Sequence, residues 1–240
     1  MNNKNNETID TPTYENGEKM YVATDCIIFG FDDGILKLLV FERRVKPKQG
    51  ELSLIGSFVS PNENVTEAAQ RVLKEITGLE NIFMEELKCY SNIDRDEGAR
   101  CLSIAQYALI RIGEYDKQLV EKHGAQWYEI GKLPKLVYDH DQMVEDALER
   151  LRTKSRFYPI GIELLPKQFT IPQLQKLYEV IHQKQLDPRN FRKKVLSLKL
   201  LIPLNKKDKT GSKKGAYLYK FDYKKYKKLE EKGFNFSIFK

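Results

Sequence analysis

The chain is poor in the residues that announce special chemistry. Its three cysteines, Cys26, Cys89 and Cys101, are odd in number and have no spacing suited to a disulfide framework or a zinc site. Nine prolines and fourteen glycines are too few for a fibrous or low-complexity chain. No apolar run approaches the roughly 18–20 residues that a membrane helix requires. The opening MNNKNNETID lacks the basic-then-apolar shape of a secretory signal, and no internal repeat is visible. These absences predict a reduced, soluble, cytoplasmic protein with no membrane partner.

What is present points to a globular chain, with 41% hydrophobic and 31% charged residues. At 240 residues it has room for one large domain or two ordinary ones. The net charge of +7 hides an asymmetry. Residues 1–155 carry 20 Lys+Arg against 27 Asp+Glu, a net −7; residues 156–240 carry 21 against 7, a net +14. An acidic half joined to a strongly basic one predicts two modules, the second facing an anionic partner. A basic solvated tail is the alternative, and residue pattern decides between them.

Residues 1–18 are polar and aperiodic and read as a loose arm. Two β-rich runs, VATDCIIFGF and ILKLLVFERR, flank Asp32-Asp33-Gly34, which is a hairpin signal. A basic loop over 43–50 leads into a short apolar stretch over 52–59. A helix is predicted over 65–77: Val65, Ala68, Ala69, Val72, Leu73 and Ile76 recur at helical spacing, and Gly78 supplies the stop. Strands are predicted over 83–93 and 101–112, joined by the charged loop DRDEGAR. A weaker strand over 126–130 and a helix over 141–154 follow. Residues 156–166 read as the junction, so that 19–155 form the first module and 160–240 the second.

In the first module LIGSFV (54–59), Glu63 and EAAQRVLKEITGL (67–79) resemble the Nudix box, G-x5-E-x7-R-E-U-x-E-E-x-G-U, where U is a bulky aliphatic residue. Ser57 takes the first glycine position, while Glu63, Arg71, Leu73, Glu75, Gly78 and Leu79 match. Val72 and Ile76 stand where two of the glutamates belong. The resemblance spans residues 20–155 and implies an α/β/α sandwich with a mixed sheet. Nudix hydrolysis relies on Mg2+ or a similar hard cation held by several carboxylates of this helix. Here only Glu75 survives among positions 72, 75 and 76, so the resemblance implies binding without catalysis, with no catalytic residue, metal or cofactor. The ligand is expected among Arg43, Ser57, Glu75, Asp94, Arg95 and Arg100, whose side chains suit hydroxyls or phosphates. An ordinary charged loop is the alternative at each of these positions.

In the second module Thr170 and Gln173 form a capping box with Pro172 in the first turn. Ile171, Leu174, Leu177, Tyr178 and Ile181 make the apolar stripe of that helix. Asp187-Pro188 signals a second helix start, giving a helix-turn-helix pattern. At about 100° per residue, Val195 and Leu198 fall within about 40° of Phe191. Arg189, Asn190, Lys193 and Ser197 lie opposite, with Arg192 flanking them. Such a helix suits a major groove, where Arg and Asn read bases while Lys and Ser hold phosphates. Strand-like LLIPL (200–204) and AYLYKF (216–221) enclose a lysine-rich, Gly-hinged tip, the wing of a winged helix. Lys209, Lys213 and Lys214 are expected to track phosphates there. The aromatic and lysine-rich tail over 223–239 has two open readings, packing against the domain or further phosphate contact.

An α+β chain that joins a degenerate Nudix domain to a C-terminal winged helix-turn-helix domain is similar to the Nudix-related family of bacterial transcriptional regulators. In that family the first domain senses a small metabolite and the second binds operator DNA, usually as a homodimer. Some members sense ADP-ribose. Others, resembled more closely in ATDCIIFGFDDG, NFRKKV and GSKKGA, sense sugars such as L-arabinose in carbohydrate utilisation. The resemblance implies a ligand-controlled repressor of a palindromic duplex operator, with a pentose effector ahead of ADP-ribose. The rival is a Mg2+-dependent Nudix hydrolase of ADP-ribose or a nucleotide sugar. An RNA-binding factor is disfavoured, because the basic helix carries no stacking aromatics.

Overall fold

The computed structural model describes residues 17–114, 117–210, 214–234 and 236. The first module contains β1 (Tyr21–Asp32), β2 (Ile35–Glu42), β3 (Leu52–Ser53), β4 (Ile55–Phe58), α1 (Val65–Thr77), β5 (Glu85–Tyr90), β6 (Cys101–Arg111), α2 (Lys117–Lys122), β7 (Ala125–Glu129) and α3 (His140–Phe157). Its strands form one mixed sheet in the order β3-β2-β1-β6-β5, with β4 also pairing β1 and β7 pairing β2. β1 and β6 run parallel, in register from Tyr21 against Cys101 to Phe31 against Arg111.

β1 explains the layering. It is buried from Ala23 to Phe31, because both of its faces are covered. Cys26 and Ile28 join a core with Ala69, Val72 and Leu73 of α1, while Ile27, Phe29 and Phe31 join a second core with Met143, Ala147 and Leu148 of α3. A strand between two helical layers has no need of a polar face, hence its nearly unbroken apolar run. The hairpin closes through Asp33 and Gly34, both at positive φ (45° and 79°).

α1 keeps its expected bounds because both ends are capped. Asn64 Oδ1 accepts the Glu67 N–H at 3.0 Å, and Glu67 Oε2 accepts the Asn64 N–H at 2.8 Å. Such a cap contributes about 1 kcal/mol. Gly78, at φ 75°, ends the helix. β5 is shorter than the strand predicted over 83–93. Only Glu85–Tyr90 pair with β6, and Phe83 and Ile93 lie outside the ladder, 82% and 73% exposed.

The second module contains β8 (Phe169–Thr170), α4 (Ile171–His182), α5 (Pro188–Ser197), β9 (Leu201–Asp208), β10 (Ala216–Phe221) and α6 (Tyr223–Glu230), with a small sheet in the order β8-β10-β9. Thr170 Oγ1 accepts the Gln173 N–H at 3.3 Å, and Asp187 Oδ1 accepts the Asn190 N–H at 2.8 Å, so both expected caps form. β9 extends to Asp208, which shortens the wing tip. Lys206 and Lys207 therefore belong to the strand, with Lys207 Nζ 4.6 Å from the Tyr217 ring centroid. The tail begins as α6, and Tyr226 packs with Phe221 and Phe236 while Lys224, Lys227 and Lys228 stay exposed.

The junction over 156–166 is packed rather than loose. α3 runs on to Phe157, and Leu148, Leu151, Ile162, Leu164 and Leu165 share one core with Leu174, Leu177 and Tyr178 of α4. Arg152 Nε donates to the Ile181 carbonyl at 3.4 Å across the same seam. Among the described residues no helix is long and apolar enough to cross a membrane.

Candidate functional site

Arg71 organises the loop before α1. Its Nε and Nη2 donate to Glu63 at 2.9 and 2.6 Å, Nη1 donates to Glu75 at 3.1 Å, and Nη2 also reaches the Phe58 carbonyl at 3.1 Å. Glu63 accepts the Ser60 N–H as well, at 2.8 Å. The Arg71 hydrogen bonds and then that of Ser60 pull the Glu63 carboxyl down from 4.5 to about 2. Val72 is completely buried and Ile76 partly so, both packed in the core beneath α1. Glu75 is exposed and paired. The positions that would hold a divalent cation therefore offer two aliphatic side chains and one engaged carboxylate, and they do not fit such an ion. Among the described residues no three His, Cys, Asp or Glu side chains are grouped to hold a metal.

A second group of polar residues is hidden between strands and α3. Asp25, in the middle of β1, is 6% exposed, and Ser103 Oγ donates to its Oδ2 at 2.6 Å. Arg95 Nη2 lies 3.6 Å from that same oxygen. The Arg95 guanidinium also forks onto Asp139, through Nε at 3.0 Å and Nη2 at 2.8 Å. His140 Nδ1 accepts the Leu54 N–H at 3.1 Å, so a neutral ring carries its proton on Nε2, 3.6 Å from Asp25 Oδ1. Burial lowers the His140 pKa against the pull of Asp25 and Asp139. The cluster pins β1, the 94–100 loop and the start of α3 to one another.

The 43–50 and 94–100 loops lie against one another and leave between them an open, shallow cleft, lined by Lys46, Pro47, Lys48, Glu51 and Glu97 among others. Lys48 bridges Glu51 and Glu97 at 3.9 and 3.6 Å. The expected ligand residues are spread around this cleft rather than gathered in it. Arg43 Nε donates to the Pro47 carbonyl at 3.2 Å, and its guanidinium sits 5.1 Å from the Tyr138 ring centroid. Asp94 is exposed, whereas Arg95 is buried in the Asp25–Asp139 cluster. Arg100 Nη1 donates to the Ser91 and Asn92 carbonyls, each at 3.1 Å. Ser57 is exposed on β4 and, like Glu75, stands outside the cleft lining. Sequence reasoning overlooks Asp25, Asp139 and His140. One signal was available: an aspartate within the apolar run of β1.

In the second module α5 turns Phe191 and Val195 inward, and the Tyr178 and Phe191 rings, 6.0 Å apart, seat it on α4. Arg189, Asn190, Arg192, Lys193 and Ser197 are all exposed. Ser197 Oγ donates to the Lys194 carbonyl at 2.7 Å, so its hydroxyl hydrogen is already used within the helix. On the wing Lys209 and Lys214 are exposed, and Lys213 lies outside the described residues.

Residues 19–147 match the NUDIX domain family, and residues 161–221 match the NrtR DNA-binding winged helix domain, which stops short of α6. The chain is 28% identical over 219 residues to the ADPR responsive transcriptional repressor NtrR of Acinetobacter baylyi, spanning 90% of this chain and 85% of that protein. Over 120 residues it is 36% identical to the ADP-ribose pyrophosphatase of Methanocaldococcus jannaschii, spanning 48% of this chain and 70% of the enzyme. The crystal structure of Shewanella oneidensis NrtR complexed with a 27mer DNA has a TM-score of 0.69 and 27% identity, with 83% and 93% of the two chains covered. A Nudix domain with a mixed sheet, followed by a C-terminal winged helix, is therefore the architecture of this α+β chain. The expected closeness to sugar-responsive regulators gains no support here, because the ligand in the relatives' names is ADP-ribose.

Proposed function

Because this chain belongs to the Nudix family and continues into an NrtR-type winged helix, we propose that it is a ligand-responsive, DNA-binding transcriptional repressor whose Nudix domain senses without hydrolysing. The observation that carries the reading is α5, a helix anchored by Phe191 and Val195 that exposes Arg189, Asn190, Arg192 and Lys193. That face suits base edges and phosphates of a major groove. As a homodimer the protein sets two such helices on half-sites about one DNA turn apart, so its operator is palindromic. The loss of enzymatic function rests on Val72 and Ile76, which pack where metal-holding carboxylates would stand.

The effector is a pentose-bearing small molecule. ADP-ribose is the first candidate, supported by the name of the Acinetobacter repressor. A free pentose such as L-arabinose is the second reading, and one observation favours it. Arg71 is occupied by Glu63 and Glu75, and Arg44 donates to the His123 carbonyl at 2.6 Å. A diphosphate would have to draw on the remaining cations, Lys46 and Lys48 of the cleft among them, whereas a neutral sugar needs none.

Control passes along α3. Asp139 at its start holds Arg95 of the 94–100 loop, and its last turns are bonded to α4. A ligand that prefers one arrangement of the loop shifts α3, and with it α4 and α5, by its differential affinity for the two states. The test is a gel shift with the upstream region of the chain's own gene, titrated with ADP-ribose and with pentoses. A specific complex released by one of them is expected. No specific complex at moderate salt rules out the repressor, and a complex indifferent to every probe rules out the effector.

A further inference from the structure

Tyr138 stands immediately before Asp139, the residue that clamps Arg95. Its backbone is left-handed, at φ 54°, a conformation rare for a bulky aromatic residue. Such conformations persist where their surroundings over-determine them, and they concentrate at ligand sites. The neighbours are fixed on either side: Val137 N–H donates to the Leu52 carbonyl at 3.0 Å, and His140 N–H donates to the Val137 carbonyl at 3.1 Å. The ring is held too, with the Arg43 guanidinium 5.1 Å from its centroid and the His140 ring edge-on at 5.7 Å.

The hydroxyl is the anomaly. It is covered by protein and has no hydrogen-bond partner, whereas buried polar groups nearly always have one. A phenylalanine would fill the same space without an orphaned donor, so packing does not account for a tyrosine here. The charged groups around the phenol are Arg43, Asp96 and Glu97 from the two loops that form the cleft, and Glu51, which directly follows the first of them. Glu51 and Glu97 line that cleft directly. A phenol is protonated at neutral pH, and burial, helped by the three carboxylates and opposed by Arg43, raises its pKa further, so it offers a donor.

We propose that Tyr138 is an effector-reading residue, its hydroxyl bonding a sugar-ring hydroxyl of a ligand held between the 43–50 and 94–100 loops. The inference rests on the effector reading above and assigns it an atom. Tyr138 does not itself line the cleft, so a ligand there gains the hydroxyl only where the two loops move apart, and the adjacency of Tyr138 to Asp139 would then hand the change to α3. A ribosyl or pentose ring fits this chemistry, because each of its hydroxyls both donates and accepts.

The test is isothermal titration of the full chain and of Tyr138→Phe with ADP-ribose and with L-arabinose, alongside melting curves and operator binding. The expected result is that Tyr138→Phe melts at or above the wild-type temperature and binds the recognised probe about tenfold more weakly. Equal binding by the two proteins overturns the assignment of Tyr138 and leaves the effector reading standing. A wild-type chain that binds operator but neither probe overturns the effector reading, and the assignment with it.

Discussion

Ser155 Oγ and His182 Nε2 lie 2.8 Å apart and join the last turns of α3 and α4. The direction of that bond follows from its neighbours. The Ser155 hydroxyl has a single hydrogen, which it donates to the Arg152 carbonyl at 2.7 Å, so His182 Nε2 is the donor. Burial, with Lys184, Arg156 and Arg152 nearby, pulls the His182 pKa from 6.5 to about 4. A neutral imidazole therefore fastens the sensor's long helix to the first helix of the DNA-binding module.

The pH dependence has a defined sign. Between pH 6.5 and about 4 the unfolded chain takes up a proton that the folded His182 refuses, so stability falls as pH falls through that window. Thermal melts across it should show a shallower slope for His182→Gln than for wild type. Equal slopes would remove His182 from the account.

Arg95 is expected to be a stability residue before it is anything else. Removing it leaves the buried Asp25 and the partly buried Asp139 without their shared cation. Arg95→Ala should cost about 3–5 kcal/mol in urea unfolding. A variant within about 1 kcal/mol of wild type would show that water replaces the guanidinium.

Val72→Glu is the obvious attempt to rebuild a metal site, and it should fail. The new carboxylate would lie in the apolar core among Ala69, Leu73 and Ile28, at a cost of roughly 3 kcal/mol or more. Calorimetric melting should record the loss, and ADP-ribose with Mg2+ should remain intact. Metal-dependent phosphate release by this variant would mean that the box is one residue from activity.

The two basic elements should separate by salt. Arg189→Ala should weaken operator recognition by about 1–3 kcal/mol and relax its specificity. Lys214→Ala should weaken binding to every duplex and lower the salt slope by about 1. Both are read from duplex titrations at several salt concentrations. Wild-type behaviour in both would make these faces solvated surface.

The parts of this fold that are legible in the sequence are those fixed by local chemistry. Val65–Thr77 keeps its predicted bounds because its apolar face, the residues before it and Gly78 lie next to one another in the chain. The same holds for Thr170 and Asp187 at the starts of α4 and α5. The Asp25–Ser103 and Arg95–Asp139 bonds join residues 78 and 44 apart, brought together by the parallel register of β1 with β6 and by the docking of α3. No spacing rule reaches that far. Arg95 looks like a ligand hand because a charged loop does not disclose which of its charges fold inward. The wing tip looks longer than it is because β9 carries Lys206 and Lys207 on strand positions that remain exposed.

The most direct test of a ligand-controlled repressor is the fluorescence anisotropy of a labelled palindromic duplex from the upstream region, with a scrambled duplex as competitor, at fixed salt. The expected result is at least about a thousandfold preference for the palindrome, lost on addition of ADP-ribose or a pentose without consumption of the added molecule. Equal affinity for both duplexes, with steady phosphate release from ADP-ribose, would contradict it and return the chain to the hydrolases.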